Sequence, residues 1–590
     1  MCGLAGIVNF NHPNANFKTR LPTMLAAQRH RGPDGCGFKY YGSAALAHTR
    51  LALIDLAGGD QPFISRDQRY CLVYNGEIYN FAELRRELAP LWSFVTESDT
   101  EVVLAAYVCW GERALHRFNG MFAFFIWDEH LKQGFAARDL LGVKPFAYQY
   151  QHGELLFGSE AKAIVAVAQT PVKADADAIL EYLVAPYFSG VESSMFAGIE
   201  YLQPGHCLHI DSNGLVLRQW RDYQLTAEIT PEQNVEDELS HLLGKAVNRA
   251  MRADVPVATY LSGGLDSTLI SAIANKAAPQ PLACFSIRFA DHGKIDYANS
   301  LIVSSDDMPF ALSAAQEIGL RQQIVDVDEQ QIAESFSELA AVNDALPAWE
   351  QEFAQFHLAR VAGAQFKAVL VGDAADETHW GYPFLLDQAA TRSPAGILAR
   401  FSLPKLALGS AQELTQMFND KYQQLAGSAG YGWHSATERS LATAYLVVKR
   451  WLPRLLHNGD IHAMRHSLEA RVPFADIELL DFARKVHPEL GYRQGCEKWL
   501  LRQGSRGLLP EQVRTRPKSA LPKAQSVGLV YQRLARTALQ TSAEFIGHFL
   551  ELAPLFSLST QREPLTEMER ALLFRVISLS YWQQRYKVVI

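Results

Sequence analysis

The residues best suited to chemistry fall in two stretches. The first opens the chain as Met1-Cys2-Gly3-Leu4-Ala5-Gly6-Ile7-Val8. With Met1 removed, Cys2 carries both a thiol and a free α-amine, and an amine of pKa about 7.7–8.0 suits a base acting on its own thiol. A cysteine at position 2 means little alone; the segments after it supply what such a nucleophile needs. Arg29-His30-Arg31-Gly32-Pro33-Asp34-Gly35 reads as a turn-rich basic loop. Ala47 to Asp55 alternates like a half-buried strand, with Arg50 placed to leave it. Tyr74-Asn75-Gly76-Glu77-Ile78-Tyr79-Asn80 sets an amide side chain, a free backbone N–H and a carboxylate side by side, and Thr96-Glu97-Ser98-Asp99-Thr100-Glu101 reads as an acidic loop before a helix. These are the parts of glutamine hydrolysis: a guanidinium for the α-carboxylate, carboxylates for the α-ammonium, and donors for a tetrahedral oxyanion.

The second stretch is Tyr260-Leu261-Ser262-Gly263-Gly264-Leu265-Asp266-Ser267. The apolar, β-branched run Val255 to Thr259 before it reads as a buried strand, and Ser267 to Ala274 after it as a helix. A strand, a glycine turn and a helix N-terminus form an anion site, because backbone N–H groups and the helix dipole both favour negative charge. Gly263 and Gly264 allow close approach of a ligand. The string lacks the Gly-Lys-Ser/Thr ending of a Walker A loop. Asp266 cannot attract phosphate itself; it makes sense as a ligand of Mg²⁺, which takes oxygen donors and bridges phosphates. A further loop, Gly372-Asp373-Ala374-Ala375-Asp376-Glu377, brings a second aspartate.

Both stretches resemble a known family. Met-Cys-Gly, His-Arg-Gly-Pro-Asp, Asn-Gly-Glu-Ile-Tyr-Asn and Ser-Asp-Thr-Glu resemble the class II glutamine amidotransferases, which are N-terminal-nucleophile hydrolases. Ser-Gly-Gly-Leu-Asp-Ser resembles the pyrophosphate loop of the ATP pyrophosphatases, and in particular that of the asparagine synthetases. The likeness runs from Met1 to about Lys523 and includes His466 to Phe474 and Arg514 to Lys518. It implies Cys2 as the nucleophile forming a glutamyl thioester, with Asn75 and Gly76 as the oxyanion hole. It implies that Arg50, Leu51, Ala52, Leu53, Ile54, Glu77 and Asp99 contact glutamine, Arg50 at the carboxylate and the two acids at the amino group. For ATP it implies Tyr260, Leu261, Ser262, Gly263, Gly264, Asp266, Ser267, Ile287, Val371 and Gly372, with Asp266 and Asp376 holding Mg²⁺. Asp373 takes the acidic position tied to acyl-adenylate formation, and Lys518 that of the cation stabilising the pentavalent phosphate. The implied activity joins ammonia from glutamine, carried along a buried path, to an adenylated carboxylate, with aspartate as the default acceptor. A non-aspartate carboxylate is the alternative, and a ring-closing enzyme like the β-lactam synthetases is disfavoured by the intact Cys2 set. Three departures surround the acceptor: Val371 where the family usually has Ser, Thr378-His379-Trp380-Gly381-Tyr382 in place of a smaller run, and an insert near Asp291 to Ser305. Val371 and Trp380 are expected to give an apolar lining, and the insert a lid.

Elements must position these groups. Strands at Leu282 to Ile287 and Lys367 to Val371, separated by helices, predict a parallel doubly wound sheet whose ligands lie beyond the carboxyl ends of its strands. The resemblance implies an αββα sandwich before it. The fold class is thus α/β, with an amidotransferase domain at 1–225, a synthetase domain with helical additions at 226–590, and a linker in the polar Ala227–Asn234 stretch around Pro231. The last 65 or so residues read as helices without a motif. The 590 residues exceed one core, and 48% hydrophobic with 20% charged residues is the balance of a globular protein. A net charge of -8 argues against a nucleic-acid partner. The densest apolar run, Met121 to Trp127, is far too short to span a membrane, and no secretion signal is evident. Seven cysteines without a CxxC pair indicate neither zinc nor disulfides and fit a reducing cytoplasm. The expected partners are small molecules and a second copy in a homodimer.

Overall fold

The computed structural model describes residues 2–12, 16–168, 171–230, 234–289, 306–342, 346–347, 351–388, 390–394, 411–519 and 527–590. Met1, the insert from Asp291 to Ser305, Pro231 and Lys523 lie outside them.

The N-terminal part is built on strands β1 (Cys2–Asn9), β2 (Gly35–Tyr40), β3 (Ala44–Arg50), β4 (Phe63–Ile64), β5 (Tyr70–Ile78), β6 (Gly120–Asp128), β7 (Gln133–Arg138), β8 (Ala147–Gln151), β9 (Glu154–Gly158), β10 (Glu200–Tyr201), β11 (His206–Asp211) and β12 (Gly214–Gln219). They form two six-stranded sheets, ordered β10-β8-β9-β1-β3-β2 and β12-β11-β7-β6-β5-β4, with antiparallel pairing. β6 shows how they layer. Its nine residues are all buried. Side chains alternate along a strand: Phe122, Phe124 and Ile126 pack with Val102, Val103 and Ala106 of the helix Asp99–Trp110, while Ala123, Phe125 and Trp127 pack with Leu4, Leu46 and Phe157 of the facing sheet. The helix Phe17–Ala27 covers the outer face of the other sheet through Leu21, Met24 and Leu25. The result is the expected αββα sandwich.

β13 (Val257–Tyr260), β14 (Ala283–Phe289), β15 (Arg321–Val327), β16 (Ala368–Leu370) and β17 (Glu469–Arg471) make a parallel sheet ordered β15-β14-β13-β16-β17. The C-terminal residues form the helices Gly528–Thr541, Ala543–Gly547, Leu552–Thr560 and Glu567–Tyr586; the last reaches back to the N-terminal part, where Arg575 Nη1 donates to Leu183 O at 2.6 Å.

Some local expectations change. β3 ends at Arg50, and all seven of its residues are buried because sheet and helix cover both faces. Residues 227–229 do not run free as a linker: Ile229 N donates to Lys485 O at 2.7 Å and His487 N to Ile229 O at 3.0 Å. No helix among the described residues is long and apolar enough to cross a membrane.

Candidate functional site

β1 and β3 pair with Cys2 opposite Arg50, so the register sets these two residues side by side across the strands. Asn75 comes from β5 in the other sheet. Cys2 N donates to Asn75 Oδ1 at 3.0 Å, and Asn75 Nδ2 is buried with no hydrogen-bond partner among the described residues. A buried orphan donor costs free energy, so its retention beside a thiol is what an oxyanion site requires. Gly76 is confined: a Cβ there would fall 2.2 Å from Met121 O. Burial pushes the Cys2 thiol pKa up, while the Leu51 backbone N–H pulls it down.

Arg50 is not free to leave its strand. Its Nη1 donates to Leu56 O at 3.1 Å and Asp60 Oδ1 at 3.0 Å, and its Nη2 to Asp55 O at 2.6 Å. It organises the turn after β3, and its ion partner Asp60 is 86% exposed, so a ligand carboxylate has only that exposed carboxylate to displace. Leu51, Ala52 and Leu53 are buried in the segment that follows and Ile54 is half-buried; Ala52 N donates to Asp34 Oδ2 at 2.7 Å.

The expected acidic loop is largely helix and largely buried. Asp99 begins the helix Asp99–Trp110, capped by Ser98, and its Oδ2 accepts from Tyr74 Oη at 2.8 Å and Ile78 N at 3.0 Å. Burial raises its pKa and those two bonds oppose the rise. Glu101 is structural, accepting from Trp92 Nε1 at 3.0 Å and Thr96 N at 2.7 Å. Glu77 lies in β5, pushed well above the usual carboxylate range by burial and by Glu469, with Arg471 opposing. The basic loop is likewise interior: Arg31 is fully buried and pairs with Glu160 at 2.9 Å and Asp460 at 2.7 Å.

A cavity opens at the carboxyl ends of β13, β14 and β16. Tyr260, Leu261, Ser262, Gly264, Asp266 and Ser267 line it from the loop after β13. Ile287 of β14 lines it too, as do Val371, Gly372, Asp373 and Asp376 after β16, and Lys518. The loop is ordered by its own serines, with Ser262 N donating to Ser267 Oγ at 3.1 Å. Gly263 does not line the cavity. Its φ is 78°, and a Cβ there would lie 2.5 Å from Ala311 N, so packing against the helix Met308–Ile318 itself requires glycine there. Gly264 caps the helix Leu265–Ala277.

Asp266 and Asp376 converge on one point, marked by Lys498, whose Nζ contacts Asp266 Oδ2 and lies 2.6 Å from Asp376 Oδ1. Asp266 Oδ1 is buried without a hydrogen bond among the described residues. Two carboxylates within reach of one cation, with an oxygen to spare, fit a hard divalent ion. Lys518 pairs with Asp376 Oδ2. Burial works against the Lys518 charge, but Asp376 and Asp266 outweigh it and hold its pKa above the usual range. Asp373 is pushed up to about 6 by burial and by Asp376.

His379 and Trp380 stand apart from the cavity. Trp380 is 2% exposed and packs so closely on Gly491 that a Cβ there would meet its Cδ1 at 2.1 Å; His379 packs edge-on against Phe474, 5.3 Å between centroids. They are packing residues, which overturns the expected Trp380 lining. Val371 does line the cavity.

The glutamine amidotransferase domain family matches residues 1–221, and the asparagine synthase family matches residues 238–584. The glutamine-hydrolysing asparagine synthetase 3 of Bacillus subtilis is 31% identical over 538 residues, which covers 89% of this chain and 87% of that one. The chain belongs to the asparagine synthase family. Asparagine synthetase 1 of the same organism is 30% identical over 571 residues, covering 88% and 87%. The amidase chry2 of Gibberella zeae is 24% identical, covering 93% of both chains. As a member of this family the chain is an ATP-dependent ligase that draws its nitrogen from glutamine.

Three residues at these sites escaped the sequence reading. Lys498 carries no motif, and only the fold places it between the aspartates. Glu469 and Arg471 sit inside the His466 to Phe474 stretch that carries the family resemblance; their alternation about Ala470 was the available signal.

Proposed function

We propose that the chain makes asparagine from L-aspartate, glutamine and ATP. The Cys2 thiol attacks the glutamine amide, its proton passes to the chain's own amine, and the tetrahedral oxyanion is held by Asn75 Nδ2 and the Gly76 N–H. Collapse expels ammonia, and water releases glutamate from the thioester. Arg50 binds the glutamine carboxylate, and Glu77 and Asp99 its ammonium. In the second cavity the aspartate side-chain carboxylate displaces pyrophosphate from the α-phosphorus of ATP, Lys518 offsets the charge that builds there, and Asp373 orients the reacting groups. Mg²⁺ held by Asp266 and Asp376 would neutralise the pyrophosphate charge. Ammonia then travels inside the protein and displaces AMP. We place the boundary between the two domains at residues 225 and 226.

The observation that carries this reading is the orphaned Asn75 Nδ2 beside Cys2, in a chain whose second site gathers Asp266, Asp376 and two lysines. For the acceptor, a lining that includes Lys498 and Lys518 suits a dicarboxylate. One observation favours a less polar acid: Val371 sets an apolar surface at the cavity wall. AMP release with MgATP, glutamine and either L-aspartate or a panel of other carboxylic acids decides. Asparagine formed in step with AMP supports the proposal; AMP released only with another acid overturns it.

A further inference from the structure

The Cys2 site is not made by the N-terminal sandwich alone. β17 enters beside it from the parallel sheet, and its alternation gives it two faces. Ala470 lines the ATP-side cavity. Glu469 and Arg471 flank it in sequence and lie buried on the Cys2 side, where Arg471 Nη2 is 3.4 Å from Glu77 Oε1. The guanidinium has little freedom. Its Nε donates to Glu469 Oε1 at 2.5 Å, and its Nη1 to Ala250 O at 2.8 Å and Arg252 O at 2.6 Å, at the end of the helix Glu236–Ala250. The Arg471 carbonyl accepts from Val371 N at 2.9 Å, one residue before Gly372 and Asp373. A planar fork fixed on three sides presents its remaining nitrogen to one carboxylate, a geometry that lysine cannot reproduce.

We propose that Arg471 is a positioning residue for glutamine: held by the C-terminal domain, it fixes the carboxylate of Glu77 that receives the glutamine ammonium, so glutamine recognition is completed by the opposite domain. This rests on the reading of Glu77 given above. The groups facing Glu77 among the described residues are Arg471 and Glu469 from β17, Asp99 from the helix beside β5, Cys2 from β1, and Tyr74 and Tyr79 from its own strand and turn. Among them Arg471 is the one side-chain cation.

The test uses the full chain. Arg471→Gln should raise the KM for glutamine about tenfold or more in a glutamate-release assay, the scale of one close buried charge pair, with kcat changed far less. Ammonia-dependent AMP formation should stay within about twofold, because Arg471 contacts that site only through its backbone. The KM defect should grow as pH falls, since Glu77 without its cation takes up a proton more readily, and Arg471→Lys should recover only part of the affinity. An unchanged KM at every pH overturns the proposal, as does equal loss of the glutamine and ammonia activities. Should Arg471→Gln fail to fold, the charge-balanced pair Glu77→Gln with Arg471→Met remains: its KM should match that of Glu77→Gln alone, and additive losses overturn the proposal. If Glu77→Gln itself leaves the KM untouched, the reading of Glu77 fails; if it raises the KM while Arg471 variants do not, only the role of Arg471 fails.

Discussion

Asn75 uses the two ends of its side chain differently: the oxygen is committed to Cys2 N, and the nitrogen has no hydrogen-bond partner among the described residues. Asn75→Ala should therefore lower kcat for glutamine hydrolysis by about 10²–10³, the measured scale for one oxyanion donor, with little change in KM. Cys2→Ala should abolish glutamate release and keep amide formation with ammonium chloride. Glutaminase activity persisting in the Cys2 variant, or a change in ammonia-dependent activity in either, would contradict this division of labour. Arg50 is a contrast: its guanidinium is already engaged with the 55–60 turn, so its availability is set by how readily Asp60 is exchanged for a substrate carboxylate.

At the scale of elements, the strand ends of the parallel sheet set two aspartates against one point. Asp376→Asn should cost about 10²-fold or more in AMP formation, as for loss of a preorganised charge, while glutamine hydrolysis continues; AMP formed at the parental rate would remove the cation role. A second element pair makes a pH prediction. His357, on the helix Gln351–Gly363, is 3% exposed and bonded at Nε2 to Ser335 Oγ of the helix Glu329–Val342 at 2.9 Å. Burial pushes its pKa down from 6.5 to about 4, with Arg360 adding to the fall. A depressed pKa means the unfolded chain binds the proton first, so the stability from neutral His357 is present above pH 6.5 and lost as pH falls toward 4. His357→Gln should be less stable than the parent at pH 7.5, and the gap should narrow by about 2 kcal/mol by pH 4.5. Thermal unfolding of both proteins across that window checks it; a constant gap would refute it.

Across the whole molecule, buried ion pairs join the two halves. Arg31 reaches Asp460 at 2.7 Å while donating from Nε to Cys2 O at 3.1 Å, and Lys144 lies 3.4 Å from the same aspartate. Removing one partner of a buried pair leaves an uncompensated charge. Asp460→Asn should lower stability by about 3 kcal/mol or more, read as a fall in Tm and faster proteolysis. Unaltered stability would mean that the interface is held by its apolar contacts alone.

What the sequence determined by itself was contiguous. The serine-glycine loop between a strand and a helix, the Asn75-Gly76-Glu77 run and the cysteine at position 2 are legible because turn residues and side-chain periodicity act over a few positions. The tertiary structure decided everything that depends on partners far apart in the chain. Arg31 read as a loop residue and is buried, because its partner Asp460 lies 429 positions away. Gly263 read as room for a ligand, and the fold adds that it makes room for a helix backbone; Trp380 read as a pocket wall and packs on Gly491. Lys498, 232 residues beyond Asp266, showed no local signal at all. Strand order and the docking of one half on the other place these groups, and neither is written in the spacing of any short segment.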